Sequence, residues 1–252
     1  MIGCSAPRTL GVILWLAASL ALVAAPAAHA GDFTPQQNQA IEGIVKDYLA
    51  QHPEVILDAL QGADARMKGE AHDKLAAYRR EVFNDPANPI GGNPEGDVTL
   101  VEFFDYRCPY CKQVEPALDS LLRQDHELRM VYKEFPVLGP ASVTAAKAAL
   151  AAEKQDKFIA FHHAMMALKG QIDDAAVFAV AASVGLDIPR LKRDMQDPAI
   201  GRQIDANYAL ADALGIDGTP GFVIGDQIVP GAIGLDDLKQ LIAATRKKAP
   251  RG

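Results

Sequence analysis

"EFFDYRCPYCK", residues 102–112, holds two of the chain's three cysteines, two residues apart, just after an apolar run that carries a glutamate. The run, "DVTLVEFFD" (97–105), is β-branched and aromatic and reads as a buried strand. The stretch after it, "PYCKQVEPALDSLLRQ" (109–124), reads as a helix, because Val114, Ala117, Leu118, Leu121 and Leu122 recur at helical spacing. Pro109 suits its first turn, where a missing N–H costs nothing. Cys108 therefore falls at a helix N-terminus, where free N–H groups and the helix dipole stabilise a thiolate. Cys111 lies one turn in and faces the protein body. On this reading Cys108 attacks or is attacked, and Cys111 resolves the mixed disulfide. Glu102 shares a strand face with Leu100 and Phe104. Burial raises the pKa of a carboxyl, and exchanging a proton with the buried Cys111 thiol would repay its cost. A structural ion pair with Lys133, in the next strand "LRMVYKEFP" (128–136), is the plainer role, and both can hold together.

The remaining cysteine, Cys4, lies in a segment that reads as a secretory signal. Arg8 supplies a short positive region, "LGVILWLAASLALVAA" (10–25) is uncharged and apolar, and "PAAHA" (26–30) ends in a small-x-small cleavage pattern. The run is short for a membrane span and Pro26 follows it at once, so cleavage after Ala30 is expected rather than a retained anchor. Cleavage removes Cys4 and Arg8 and leaves 24 basic against 32 acidic residues, moving the net charge from −7 to −8. So acidic a chain is a poor nucleic-acid binder.

Export narrows the chemistry of the Cys-x-x-Cys pair. A bridge across two intervening residues closes too small a loop to serve as a staple. A structural zinc site needs two more soft ligands, and there is no second Cys-x-x-Cys. His162 and His163 are adjacent, about 100° apart around a helix, and rarely chelate together. Redox chemistry through Cys108 and Cys111 is the expectation, with no cofactor and no metal.

Residues 97–246 resemble the DsbA-like family of periplasmic thiol–disulfide oxidoreductases. "FFDYRCPYCK" is similar to that family's Phe-Phe-x-x-x-Cys-Pro-x-Cys core, and Glu102 falls where the family keeps a buried acid. Pro116, five residues after Cys111, matches the proline that kinks the active-site helix. Lys133 lies in the strand where relatives keep a lysine near that acid. "GTP" (218–220) resembles the family's cis-proline loop, which implies a cis bond at Pro220 and a substrate-binding role for Thr219, Pro220, Pro109 and Tyr110. The resemblance implies an α/β thioredoxin fold with an inserted all-helical domain, here at about 140–214 within a domain spanning 87–252. That stretch is alanine-rich, with breaks at Gly139-Pro140, Gly170, Gly185 and Pro198. A hairpin turning at Gly225-Asp226 and a final helix at 235–248 complete the fold. "FHHAMMALKG" (161–170) tempts a copper reading, but Met at helical spacing is more often core.

Residues 31–86 form an extension that ordinary DsbA lacks. Thr34-Pro35-x-Gln37 is a helix start, an apolar stripe of Ile41, Ile44, Val45, Tyr48 and Leu49 follows, and His52-Pro53 breaks it. In the next helix Ile56, Met67 and Tyr78 are eleven apart, as are Leu60, Ala71 and Val82, a spacing that suits a nearly straight helical bundle. The extension looks like that of the copper-sensitivity-suppressor (ScsC-type) branch, which implies a homo-oligomerisation stalk, unless these helices pack on the chain's own catalytic domain. "NDPANPIGGNPEGD" (84–97) reads as a linker.

The direction of exchange follows from departures within the motif. Pro109-Tyr110 replaces the Pro-His of DsbA and removes a positive charge that would favour the thiolate. Thr219 resembles the residue that disulfide isomerases keep before the cis-proline, where DsbA has valine. Isomerase or reductase activity on secreted proteins with cysteines is therefore favoured over a DsbA-like oxidase, with a membrane redox partner of the DsbB oxidant or DsbD reductant type. Two readings from other classes are a periplasmic Cu(I) carrier using both thiolates and a cell-surface protein whose stalk matters more than its thiols. Neither needs Glu102 or the proline loop.

Overall fold

The computed structural model describes residues 33–248, so the signal read at residues 1–30, with Cys4, lies outside the described residues. The chain divides after Leu57 into two compact units. No helix among the described residues is long and apolar enough to cross a membrane.

The first unit begins with helix α1 (Pro35–Gln51). Thr34 closes a capping box: its hydroxyl accepts from the Gln37 N–H at 3.2 Å, and the Gln37 side chain accepts from the Thr34 N–H at 2.8 Å. His52 ends the helix, its N–H bonded to the Tyr48 carbonyl, and Pro53 opens α2 (Pro53–Ala77). Helix α1 buries none of its residues, and Ile41, Ile44, Val45 and Tyr48 stand exposed along it.

The second unit takes the rest of α2 and continues through α3 (Arg79–Phe83), β1 (Ile90–Gly92), β2 (Val98–Phe104), α4 (Pro109–Gln124) and β3 (Leu128–Glu134). Five helices follow, α5 (Pro140–Glu153), α6 (Phe158–Ala167), α7 (Asp174–Ser183), α8 (Ile188–Asp194) and α9 (Pro198–Leu214). The chain then returns to the sheet as β4 (Gly221–Ile224) and β5 (Gln227–Pro230) and ends in α10 (Leu235–Lys248). The strand order is β1-β3-β2-β4-β5, with β2 and β3 parallel and every other pair antiparallel. The β2-α4-β3 crossover and the β4-β5 hairpin make a thioredoxin fold, and α5 to α9 are the helical insertion expected between them.

Alternation along the strands divides the core. Leu100, Phe104, Met130, Tyr132, Phe222 and Ile224 face α4, α10 and the insertion. Val101, Phe103, Val131 and Val223 face the other way, against Leu75 of α2, Val82 and Phe83 of α3, and Leu210, Ala211 and Leu214 of α9.

Two expectations change here. The stretch with a linker's composition contains β1, whose Ile90 pairs with Val131 at the sheet edge. Its two glycines serve close approach: a Cβ at Gly91 would stand 2.9 Å from the Tyr132 ring, and one at Gly92 would strike the Leu128 carbonyl. The extension expected to end at residue 86 divides earlier, after Leu57, because Leu75, Val82 and Phe83 belong to the core beneath the sheet.

Candidate active site

Strand β2 ends at Phe104, and the chain turns once before α4 begins at Pro109. Asp105 holds that turn: its carboxylate accepts from the N–H groups of Arg107 (2.8 Å) and Leu138 (2.9 Å). Cys108 is the N-cap residue of α4, with Pro109 in the first turn and Pro116 inside the helix. Both thiols are free; Cys108 is 4% exposed and Cys111 fully buried. Tyr110, between them, is 60% exposed.

The two sulfurs are electrostatically opposite. The Cys108 pKa is lowered to about 5, chiefly because the Cys111 thiol donates to its thiolate, with help from the Thr219 side chain and the N–H groups of Cys111 and Tyr110. The Cys111 thiol is pushed up by that same donation, by burial and by the Glu102 charge. One cysteine is a ready thiolate and the other keeps its proton.

Glu102 lies on the sheet face that α4 covers, fully buried, and neither carboxylate oxygen has a hydrogen-bond partner. Burial pushes its carboxyl well above the usual range, and the charges of Glu115 and Cys108 add to this.

The Thr219–Pro220 bond is cis, and its loop meets the start of α4: the Cys108 thiol donates to the Thr219 carbonyl oxygen at 3.2 Å. The Gly231 N–H donates to the Pro220 carbonyl at 2.8 Å and fixes the loop to the end of β5. Replacing Thr219 by valine removes one support of the thiolate. It is expected to raise the Cys108 pKa by about one unit, the worth of a hydrogen bond to a charged group, which thiolate ultraviolet absorbance against pH will show.

Lys133 is not part of this site. Parallel register sets Tyr132 beside Glu102 and Lys133 beside Phe103, so Lys133 points to the opposite face of the sheet. There it is buried and donates to the Glu81 carbonyl at 2.6 Å, and burial lowers its pKa to about 8. The expected Glu102–Lys133 ion pair does not form. Lys133→Met is accordingly expected to leave the rate at which iodoacetamide captures Cys108 within about twofold of the unaltered protein, since well-separated sites act independently.

Glu115 and Lys112, which sequence reading passes over, approach the site, and His162 meets the first of them. Glu115, one turn beyond Cys111, accepts from His162 Nε2 at 3.3 Å and lies 3.5 Å from His163 Nε2. His162, from the insertion, is fully buried, and its Nδ1 meets the Tyr106 hydroxyl at 3.2 Å. Burial lowers its pKa, so it ties α4 to the insertion as a neutral imidazole. Lys112, next to Cys111, donates to the carbonyls of Met165 (2.7 Å), Met166 (3.2 Å) and Leu168 (2.9 Å) at the end of α6. The i+4 spacing of Glu115 from Cys111 is the only sequence signal for this cluster.

A cis-proline loop against a helix-capping cysteine, with a buried acid beneath, defines a thioredoxin-fold dithiol site. Residues 99–243 match the DSBA-like thioredoxin domain and residues 37–62 the copper resistance protein ScsC N-terminal domain. The chain belongs to the DsbA-like thioredoxin-domain family, whose members are thiol:disulfide oxidoreductases. Among solved structures, a thioredoxin-like oxidoreductase from Silicibacter pomeroyi is 46% identical, with 68% of this chain and 99% of that one covered at a TM-score of 0.67. A linker-deletion mutant of Proteus mirabilis ScsC is 30% identical, covering 89% of this chain and 100% of that one at a TM-score of 0.67. A curated relative, Na(+)/H(+) antiporter NhaA 1 of Salinispora arenicola, is 30% identical over 157 residues, 62% of this chain, and the chain spans only 24% of its length.

Proposed function

We propose that this protein exchanges thiols and disulfides on exported, cysteine-containing proteins in the periplasm, acting as a disulfide isomerase or reductase through Cys108 and Cys111. The Cys108 thiolate attacks a substrate disulfide, forms a mixed disulfide and expels one substrate thiolate. In isomerisation a substrate thiolate then attacks the mixed disulfide and releases Cys108 unchanged. In reduction Glu102 in its ionised form takes the proton of Cys111, which attacks the Cys108 sulfur, the second substrate thiolate leaves, and two electrons pass from the pair to the substrate. The observation that carries this reading is the Cys108 thiolate, poised at about pKa 5 against a protonated Cys111 and beside the Thr219 carbonyl.

A DsbA-like oxidase is the second reading. The same low pKa favours it, because a stabilised thiolate makes the dithiol form the preferred one and the disulfide easy to give away. The redox state of the pair in intact cells separates the two. A mostly reduced pair, kept by a DsbD-like membrane reductant, supports isomerase or reductase action; a fully oxidised pair, kept by a DsbB-like oxidant, assigns the oxidase. Thiol exchange itself is tested by Cys111→Ala, which is expected to trap exported proteins as mixed disulfides on Cys108 that a reductant dissolves. An absence of such adducts in cells making the full chain overturns both readings.

The N-terminal helices support self-association. Helix α1 buries nothing of its own and presents Ile41, Ile44, Val45 and Tyr48, an apolar stripe that water does not favour. Residues 37–62 also match the ScsC N-terminal domain. The protein is expected to size as a homo-oligomer, and removal of residues 31–57, short of the Leu75 core, is expected to give a monomer. A monomer in both forms would refute the oligomer.

A further inference from the structure

Helix α2 carries a stripe, Met67, Ala71 and Lys74, that repeats at helical spacing on one side of the helix. Leu75, beside the end of that stripe, is buried in the core beneath the sheet. Two turns back, Met67 is 62% exposed. The helix is therefore anchored at one end and holds its other apolar residues over open space. That space is a groove of about 1110 Å³, with Met67 and Ala71 on one wall and Ile216, Thr219, Pro220 and Ile228 on the other.

We infer that this groove seats the polypeptide flanking a substrate's cysteine, and that α2 is a specificity-determining wall of the exchange site. The inference rests on the thiol-exchange reading proposed above. The occupant follows from continuity. Thr219 and Pro220 line the groove, and the Thr219 carbonyl is 3.2 Å from the Cys108 sulfur. A chain held to Cys108 by a mixed disulfide lies against that loop, and the groove continues from there. Its volume exceeds the ~300–1,000 Å³ of sites built for one small molecule, which suits a stretch of polypeptide. The fixed wall is rigid, tied by Gly231 N–H to the Pro220 carbonyl. On the α2 wall Met67, whose unbranched, polarisable side chain repacks against varied partners, stands among Asp64, Lys68, Glu70 and Lys74. Such a wall offers an apolar contact at Met67 and Ala71 ringed by charges of both signs, and so accepts many substrate sequences.

The double variant Met67→Glu/Ala71→Arg in the full chain tests this. Steady-state kcat/KM is measured for reduction of insulin, a polypeptide disulfide, and of oxidised glutathione, too small to reach α2 from Cys108. The ratio of the insulin value to the glutathione value is expected to fall about tenfold, the worth of one well-packed apolar anchor. Asp73→Lys, on the same helix but outside the groove, is expected to leave the ratio unchanged. A ratio that stays the same in the double variant overturns the inference, as does an equal fall on both disulfides, which would mean the helix supports the site rather than the substrate. If the unaltered protein reduces neither disulfide, the thiol-exchange reading fails first and the groove's role falls with it.

Discussion

Replacing Glu102 by glutamine will make the protein more stable and slower. Glu102 is completely buried with both oxygens unpartnered, and a buried polar group left unsatisfied costs about 1–3 kcal/mol, more if charged. Its folded-state pKa is raised above the unfolded value. Its favourable contribution is therefore complete only below the unfolded carboxyl range and is lost as pH rises through the folded pKa. Glu102→Gln should melt with the wild type at about pH 4 and increasingly above it toward neutral pH, as the unfolded wild-type carboxyl ionises. Positioned proton transfer is worth about 10²–10⁴-fold. We expect a slowing near tenfold, below that range, because the glutamine leaves the Cys108 thiolate intact. Stopped-flow oxidation of the dithiol form, read beside thermal melting, checks both signs. A variant that is both less stable and equally fast would show that Glu102 is a packing residue.

Iodoacetamide capture of Cys108 will rise tenfold per pH unit up to about pH 5 and level off above about pH 6, following the thiolate fraction. At pH 6 an ordinary thiol with pKa 9.0 is about 10⁻³ ionised, while Cys108 at about 5 is mostly thiolate. Nucleophilicity falls with pKa at a slope of about 0.4–0.5, so the net advantage is nearer ten- to thirtyfold than a thousandfold. Above about pH 7 the order inverts and Cys108 becomes the slower thiol. The same shift appears in stability. The folded pKa is depressed, so its contribution to the dithiol form is complete above the unfolded value of 9.0, shrinks through the interval below, and is gone under about pH 5. The dithiol form should gain in melting temperature relative to the disulfide form across that window. Cys108→Ala should remove the capture, insulin reduction and refolding of scrambled ribonuclease together. A capture profile centred near pH 9 would remove the basis for assigning Cys108 as the attacking thiol.

The parts of this site that are legible in the sequence are those whose signal is local. Pro109 after Cys108 marks a helix start, Thr34 and Gln37 spell a capping box, and the structure has both. The helical insertion, the last hairpin and the closing helix likewise fall where alanine content, glycines and periodicity set them. What the sequence hides depends on pairing or on distant neighbours. Lys133 lies on the face opposite to the expected one because strand side chains alternate, and a slip of one residue against β2 exchanges faces. Strand β1 has the look of a linker because Gly91 and Gly92 carry the composition of a loop and become a strand only by pairing with β3. His162 meets Tyr106 from 56 residues away, a proximity no spacing rule encodes.

Lys112 gives the architecture a mechanical property. Its ammonium donates to three carbonyls at the end of α6, of which that of Met165 also accepts the Leu168 N–H. The residue next to Cys111 thus acts as the bolt between α4 and the inserted domain. Swinging the insertion outward would strand a half-buried cation and the carbonyls of Met166 and Leu168 at once. The insertion is therefore held fast against α4, beside the thiols.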